Sequence, residues 1–246
     1  QKTFLGVLII LIPILITLLI TNNLIKEHLK KGVLNNITAL AEVYEGQVYQ
    51  FLAMSKGRAL DFASDGFIRE SLQKIIQGQI NTGQMNAVEP LNEHLIKNKM
   101  PLDKTIYNIH VISLKGMIMA STDKSAIGRD VSKEPFFING KDAVSVTEFG
   151  ANLAISAPLS NRTTGKPIGI LVNHIHLSEL NKILIGNFSK ESGALSWDKK
   201  KKQETLDVYL VNKNKLIITE SRFMKGAVFK QIVDTPPVDA CLRANK

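Results

Sequence analysis

Three hydrophobic patterns follow one another along the chain. Residues 3–25, from Thr3 to Ile25, carry no charge and are predominantly apolar. From Leu24 to about Gln77, apolar residues recur at Leu34, Ile37, Leu40, Ala41, Tyr44, Val48, Phe51, Leu52, Ala59 and Phe62. Steps of three and four place these on one stripe of a long amphipathic helix. No proline interrupts this stretch, and Gly46 and Gly57 each weaken it by about 1 kcal/mol relative to Ala. From Ile106 onward the apolar runs shorten to strand length, separated by Gly and polar turns. The expected strands are Ile106–Ser113, Met117–Ala120, Val144–Phe149, Asn152–Leu159 and Pro167–His176. Lys115-Gly116 and Asn161–Gly165 are the hairpin turns between neighbours. Short helices are expected at Leu91–Lys97, near Pro135 with Ser132 as a candidate cap, and at Ser178–Ile185. A last hairpin, Leu206–Val211 and Leu216–Thr219 around Asn212–Lys215, repeats the opening of the sheet: strand, polar turn, strand, Ser.

These patterns predict an α+β fold. Residues 3–25 form a transmembrane helix, since a bilayer needs about 20 apolar residues. A cleaved signal peptide would have a shorter apolar region of about 7–15 residues and a small-x-small site, which Thr21-Asn22-Asn23 does not supply. Residues 26–78 are the long helix and 79–186 an antiparallel-sheet domain with connections on one side, leaving a concave pocket. Residues 187–204, with Gly193, Trp197 and Lys199–Lys202, read as a linker. Residues 205–246 begin a second, smaller lobe that stops before it closes.

Composition adds limits. Lys and Arg exceed Asp and Glu by 31 to 22, a net charge of +9, but the excess is scattered and no nucleic-acid motif accompanies it. Attraction to anionic lipid is the simpler reading, with no nucleic-acid partner. One cysteine, Cys241, excludes a disulfide framework and reads as a small buried apolar residue. There is no Gly-rich phosphate loop, no GxSxG elbow and no HExxH, so no catalytic set is assigned and no cofactor is expected. His174 and His176, two apart on a strand, share one face. A metal needs three or four ligands, and His28, His94 and His110 offer no helpful spacing, so no metal site is assigned. His110 reads as a half-buried polar residue.

The order of motifs in the sheet region resembles the Cache family of extracytoplasmic sensor domains, which share a PAS-like fold. The resemblance rests on the Ser-Thr-Asp turn at 121–123, Ile127-Gly-Arg-Asp130, Pro135-Phe-Phe137, Ile155-Ser-Ala-Pro-Leu159, and Gly165-Lys-Pro-Ile-Gly-Ile-Leu-Val172 leading to Leu177-Ser-Glu-Leu180. It implies a distal Cache lobe at 79–186 and an incomplete second Cache-like lobe near the membrane. It also implies a plasma-membrane protein with the sensor domain outside. The lysines alone, Lys2 before the span and Lys26, Lys30 and Lys31 after it, would point the other way. The long helix then both packs on its own domain and pairs with a second copy, a homodimer. The stretch Leu210–Phe223 looks most like sensor histidine kinases, with a chemotaxis receptor or an anchored binding module as alternatives.

In amino-acid-binding members, an Arg before the aromatic pair holds the carboxylate and a late acidic residue holds the amine. Glu134 and His174 stand at those positions here, so both charges are absent or reversed. Tyr107, Phe136, Phe137 and Phe149 are the candidate apolar wall for a small-molecule ligand, with Arg129 or Lys133 supplying positive charge. A carboxylate, a small polar metabolite or no ligand at all stay open.

Overall fold

The computed structural model describes residues 2–78, 88–184 and 207–244. The expected linker at 187–204 lies outside the described residues. The chain divides into two compact units, Gln1–Gln47 and Val48–Lys246.

The first unit lies within helix α1, which runs Lys2–Ser64. The side chains of residues 1–16 and of Leu19 lie outside the description. Among the described residues, no helix is long and apolar enough to cross a membrane. Most of the apolar stretch 3–25 falls outside that description. The described part of this unit leaves Leu24, Leu29, Val33, Leu34, Ile37 and Val43 exposed.

In the second unit the same helical stripe is buried. Phe51, Ala59 and Phe62 sit in the main apolar cluster, with Val48 and Leu52 packed against it. The helical pattern was expected to run unbroken to about Gln77, but α1 ends at Ser64 and a separate helix α2 spans Gly66–Ile76. Asp65 makes the break. Its backbone is extended and its carboxylate accepts the Phe67 and Ile68 amides at 2.8 and 3.1 Å, the arrangement of a helix N-cap. The same carboxylate meets Lys99 Nζ at 2.6 Å and His94 Nε2 at 3.2 Å. Burial would raise its pKa, but these partners and the Ile68 amide outweigh burial and hold it at about 2.

Helix α3 covers Val88–His94 and continues through a π turn (Leu95–Lys99) and a 3-10 turn (Met100–Leu102). Five strands follow: β1 Ile106–Ser113, β2 Ile118–Ser121, β3 Ser145–Phe149, β4 Asn152–Ser160 and β5 Pro167–His176. They form one antiparallel sheet in the order β2-β1-β5-β4-β3. Gly116 takes φ 86° in the turn before β2, where a Cβ would strike Ser132 at 2.4 Å, so glycine is required there. Helix α4, Pro135–Asn139, lies between β2 and β3 in sequence, and α5, Ser178–Leu184, follows β5. Glu134, not Ser132, holds the cap position of α4 and makes no side-chain cap bond.

The sheet separates two cores. On one face, Ile109, Val111, Leu153, Ile155, Ala157, Leu159, Leu171 and Ile175 pack with α1 and α2 residues including Phe62, Ile68 and Leu72. On the other, Ile112, Ala154, Ile170 and Val172 pack with Phe136 and Phe137 of α4.

Residues 207–244 belong to the second unit. The expected hairpin forms around its turn: the Asn212 amide donates to the Leu216 carbonyl, the Ile218 amide donates to the Leu210 carbonyl, and Val211 bridges Ile217. The pairing stays at isolated bridges, Leu216 also bridges Ile232, and Leu206 lies outside the described residues. The Asn212 side chain accepts the Asn214 and Leu216 amides and Lys215 takes φ 62°, so the turn itself forms. Helix α6 closes the described chain at Pro236–Ala244. Cys241 on it is exposed, not buried as its apolar character suggested.

Candidate functional site

The α4 face of the sheet carries the candidate site. Side chains alternate across a strand, so register decides which residues meet. Asn108 pairs with His174, and His174 with Ala154. One step further in, His110 pairs with Val172, Val172 with Ser156, and Ser156 with Ser145. Thr147 stands opposite Ala154, and at the outer end Phe149 stands opposite Asn152, which stands opposite His176. All of these share the face on which Phe136 lies.

His174 is the centre of an aromatic cluster. Its ring lies 4.7 Å from His110 edge-on, 5.6 Å from Phe136 edge-on, and 6.0 Å from both Tyr107 and Phe149. Phe136 and Phe149 meet edge-to-face at 5.1 Å, and Tyr107 stacks on His176 at 4.1 Å. Both patterns are favourable aromatic geometries. His176 is anchored by Asn152, with Nδ1 and Oδ1 2.8 Å apart. Tyr107 and Phe149 are 37% and 38% exposed and form a rim, whereas His174 is 3% exposed and Ser156 fully buried.

Several polar atoms on this floor have no partner among the described residues. Both ring nitrogens of His174, and the hydroxyls of Ser145, Thr147 and Ser156, are buried without a hydrogen bond. A polar group buried unpaired costs roughly 1–3 kcal/mol, so such a cluster needs an explanation. His110 differs, because its Nδ1 lies 2.9 Å from Ser121 Oγ. Burial pushes the His174 pKa down to about 3, with His110 adding to the effect. Burial likewise lowers His110 to about 4, which Asp123 opposes and Arg129 reinforces. Both rings are neutral near pH 7. Burial raises the Tyr107 phenol, so it too is uncharged.

Of the residues singled out in the sequence, Tyr107, Phe136, Phe149 and His174 come together here. Phe137 is buried in the same apolar cluster, and Lys141 Nζ stands 4.4 Å over its ring. Arg129 and Lys133 are exposed on the loop before α4, and Arg129 reaches this site only as a charge acting on His110. His110 is buried, not half-buried, and belongs to the cluster. Ser145, Thr147 and Ser156 were missed. The signal for them is register: in an antiparallel sheet whose even positions on β5 include His174, they fall on the same face. A separate open depression of about 420 Å3, lined by Lys213, Lys215, Asp239, Leu242 and Arg243, lies away from these residues.

No protein-family model and no curated protein matches the sequence. Solved structures do. The sensor domain of the V. cholerae histidine kinase DctB is similar over 85% of this chain and 74% of its own, at 14% identity and a TM-score of 0.59. The sensory domain of the Campylobacter jejuni chemoreceptor Tlp3 is similar over 90% of this chain and 83% of its own, at 15% identity and a TM-score of 0.58. The same domain with isoleucine bound gives 16% identity and a TM-score of 0.58, over 90% and 82% of the two chains. Through a five-stranded antiparallel sheet between long helices and a short aromatic helix, the chain has the fold of the Cache-type sensor domains.

Proposed function

We propose that this chain is the ligand-sensing region of a membrane signal-transduction receptor, the input of a two-component sensor histidine kinase. A small molecule binds on the α4 face of the sheet, around His174. The observation that carries the reading is the set of buried polar atoms of His174, Ser145, Thr147 and Ser156 without a partner among the described residues, on one sheet face where His174 packs against Phe136, Tyr107 and Phe149. A ligand that pairs with those atoms would offset the cost of burying them. The fold shared with a histidine kinase sensor domain, and with a chemoreceptor domain that holds isoleucine, supports a sensory role.

In this reading residues 3–25 cross the membrane, the sheet domain stands outside it, and 205–246 begin a membrane-proximal lobe. The exposed apolar residues of α1 from Leu24 to Val43 favour pairing with a second copy along that helix. A ligand shifts such a receptor only by binding its two conformations with different affinity. The test is a thermal-unfolding screen of a metabolite library against the chain held in lipid nanodiscs. At least one compound is expected to raise Tm, and Phe149→Ala, at the rim, to weaken that rise. A library that leaves Tm unmoved sinks the sensory reading.

A further inference from the structure

The chemistry of the site narrows what it binds, and this step rests on the sensory reading above. The rings packed on His174 are Tyr107, His110, Phe136 and Phe149, and none carries a formal charge. The unpartnered atoms belong to three hydroxyls and one imidazole. With His174 and His110 held neutral by burial, the floor offers no counter-charge to an ammonium or a carboxylate. Glu148 bonds Asn212 and Lys141 stands over Phe137, while Asp123 and Arg129 act on His110 with opposite sign and so oppose each other. An ion entering this site would lose its hydration with nothing to replace it.

What the floor does offer is paired donors and acceptors. Each hydroxyl gives one proton and accepts two bonds, and a neutral imidazole has one donor and one acceptor nitrogen. Around them stand aromatic faces and edges, which suit another flat ring. Tyr107 and Phe149, each more than a third exposed, stand at the rim of the cluster, the side from which a ligand would approach. We infer that the cluster around His174 takes an uncharged, planar ligand that presents a hydrogen-bond donor and acceptor side by side, of the amide or nucleobase type. Its polar edge meets His174 and Thr147, and its flat face meets Tyr107 and Phe149.

The test measures Tm and calorimetric binding for the 246-residue chain in nanodiscs at pH 7.4. Nicotinamide, uracil and adenine are the uncharged probes; isoleucine and succinate are the charged ones. At least one uncharged probe, at ten times its Kd, is expected to raise Tm by about 3 °C, and neither charged probe to move it. His174→Phe keeps a flat ring and removes both nitrogens. Thr147→Val keeps the shape and removes one hydroxyl. Both should weaken the uncharged probe at least about tenfold, the cost of one lost hydrogen bond to a buried group, while the unliganded Tm reports whether each variant folds. Stabilisation by isoleucine or succinate that His174→Phe abolishes would overturn the uncharged class and leave the sensory reading standing. An uncharged probe that binds both variants as well as it binds the parent would overturn the assignment to these residues. If none of the five probes moves Tm, the uncharged class fails, and the library screen above decides the sensory reading separately.

Discussion

On the side of the sheet that faces α1 and α2, residues such as Ile155, Leu159, Leu171 and Ile175 meet helical partners and are fully or nearly fully buried. On the side that faces α4, apolar residues such as Ile112, Ala154, Ile170, Val172, Phe136 and Phe137 are also buried. The rest of that face holds His110, Ser145, Thr147, Ser156 and His174, with several polar atoms unpaired. Both faces come from the same five strands. The difference shows where this domain keeps its stability and where it gives stability up. One polar residue breaks the rule on the helix side: Asn173, 1% exposed, has neither amide atom paired.

The largest expected effect breaks the helix side. Phe62→Ala removes a fully buried ring of α1 and should cost about 3–5 kcal/mol in urea unfolding. A loss under about 1 kcal/mol would mean that this face is not the stabilising one.

Acid should break the other face next. His174 and His110 titrate at about 3 and about 4 in the fold, against an ordinary 6.5. Their folded pKa values lie below the unfolded ones, so the stabilisation is complete above pH 6.5 and is lost as pH falls toward those values. The loss approaches about 1.4 kcal/mol per pH unit for each ring. His174→Phe should flatten the stability profile between pH 6.5 and 4, and an unchanged slope would remove His174 as its source. Asp65 sets a second, more acidic window: held at about 2 against 3.8, its contribution is present above 3.8 and disappears below it.

Asn173 sharpens the contrast from the opposite direction. Asn173→Leu replaces an unpaired buried amide with a side chain of similar size and should gain about 1–2 kcal/mol, read as a higher Tm. A destabilised variant would show that the amide is paired in solution. The smallest effect on stability belongs to Thr147→Val, expected within about 1 kcal/mol of the parent, because no protein partner is lost.

Much of this was legible in the sequence. β5 is a largely apolar run of strand length and its turn is marked by Asn161 and Gly165, so its limits, Pro167–His176, could be read directly. Tyr107, Phe136 and Phe149 were named as a pocket wall, and His174 as the residue at the family's late acidic position, from the resemblance to Cache domains; the structure brings the four rings together. The break at Asp65 was not legible, because helical spacing continues on both sides and only the carboxylate's bonds to Phe67 and Ile68 reveal the cap. The hairpin around Asn212–Lys215 was legible and pairs through Val211 and Ile217. The further bridge from Leu216 to Ile232 was not, because local periodicity cannot show a partner so far along the chain. The polar floor was hidden because serine and threonine in a strand look like surface until cross-strand register is known.

Asn173 and His174 are neighbours in β5 that point to opposite sides of the sheet. Substitutions at even positions of β4 and β5 therefore remake the α4 face, while odd positions keep the helices in place. The chemistry of one face can change one alternate residue at a time without refolding the scaffold. An insertion or deletion within β5 would exchange the two roles at once, which makes length, more than residue identity, the inherited constraint on this strand.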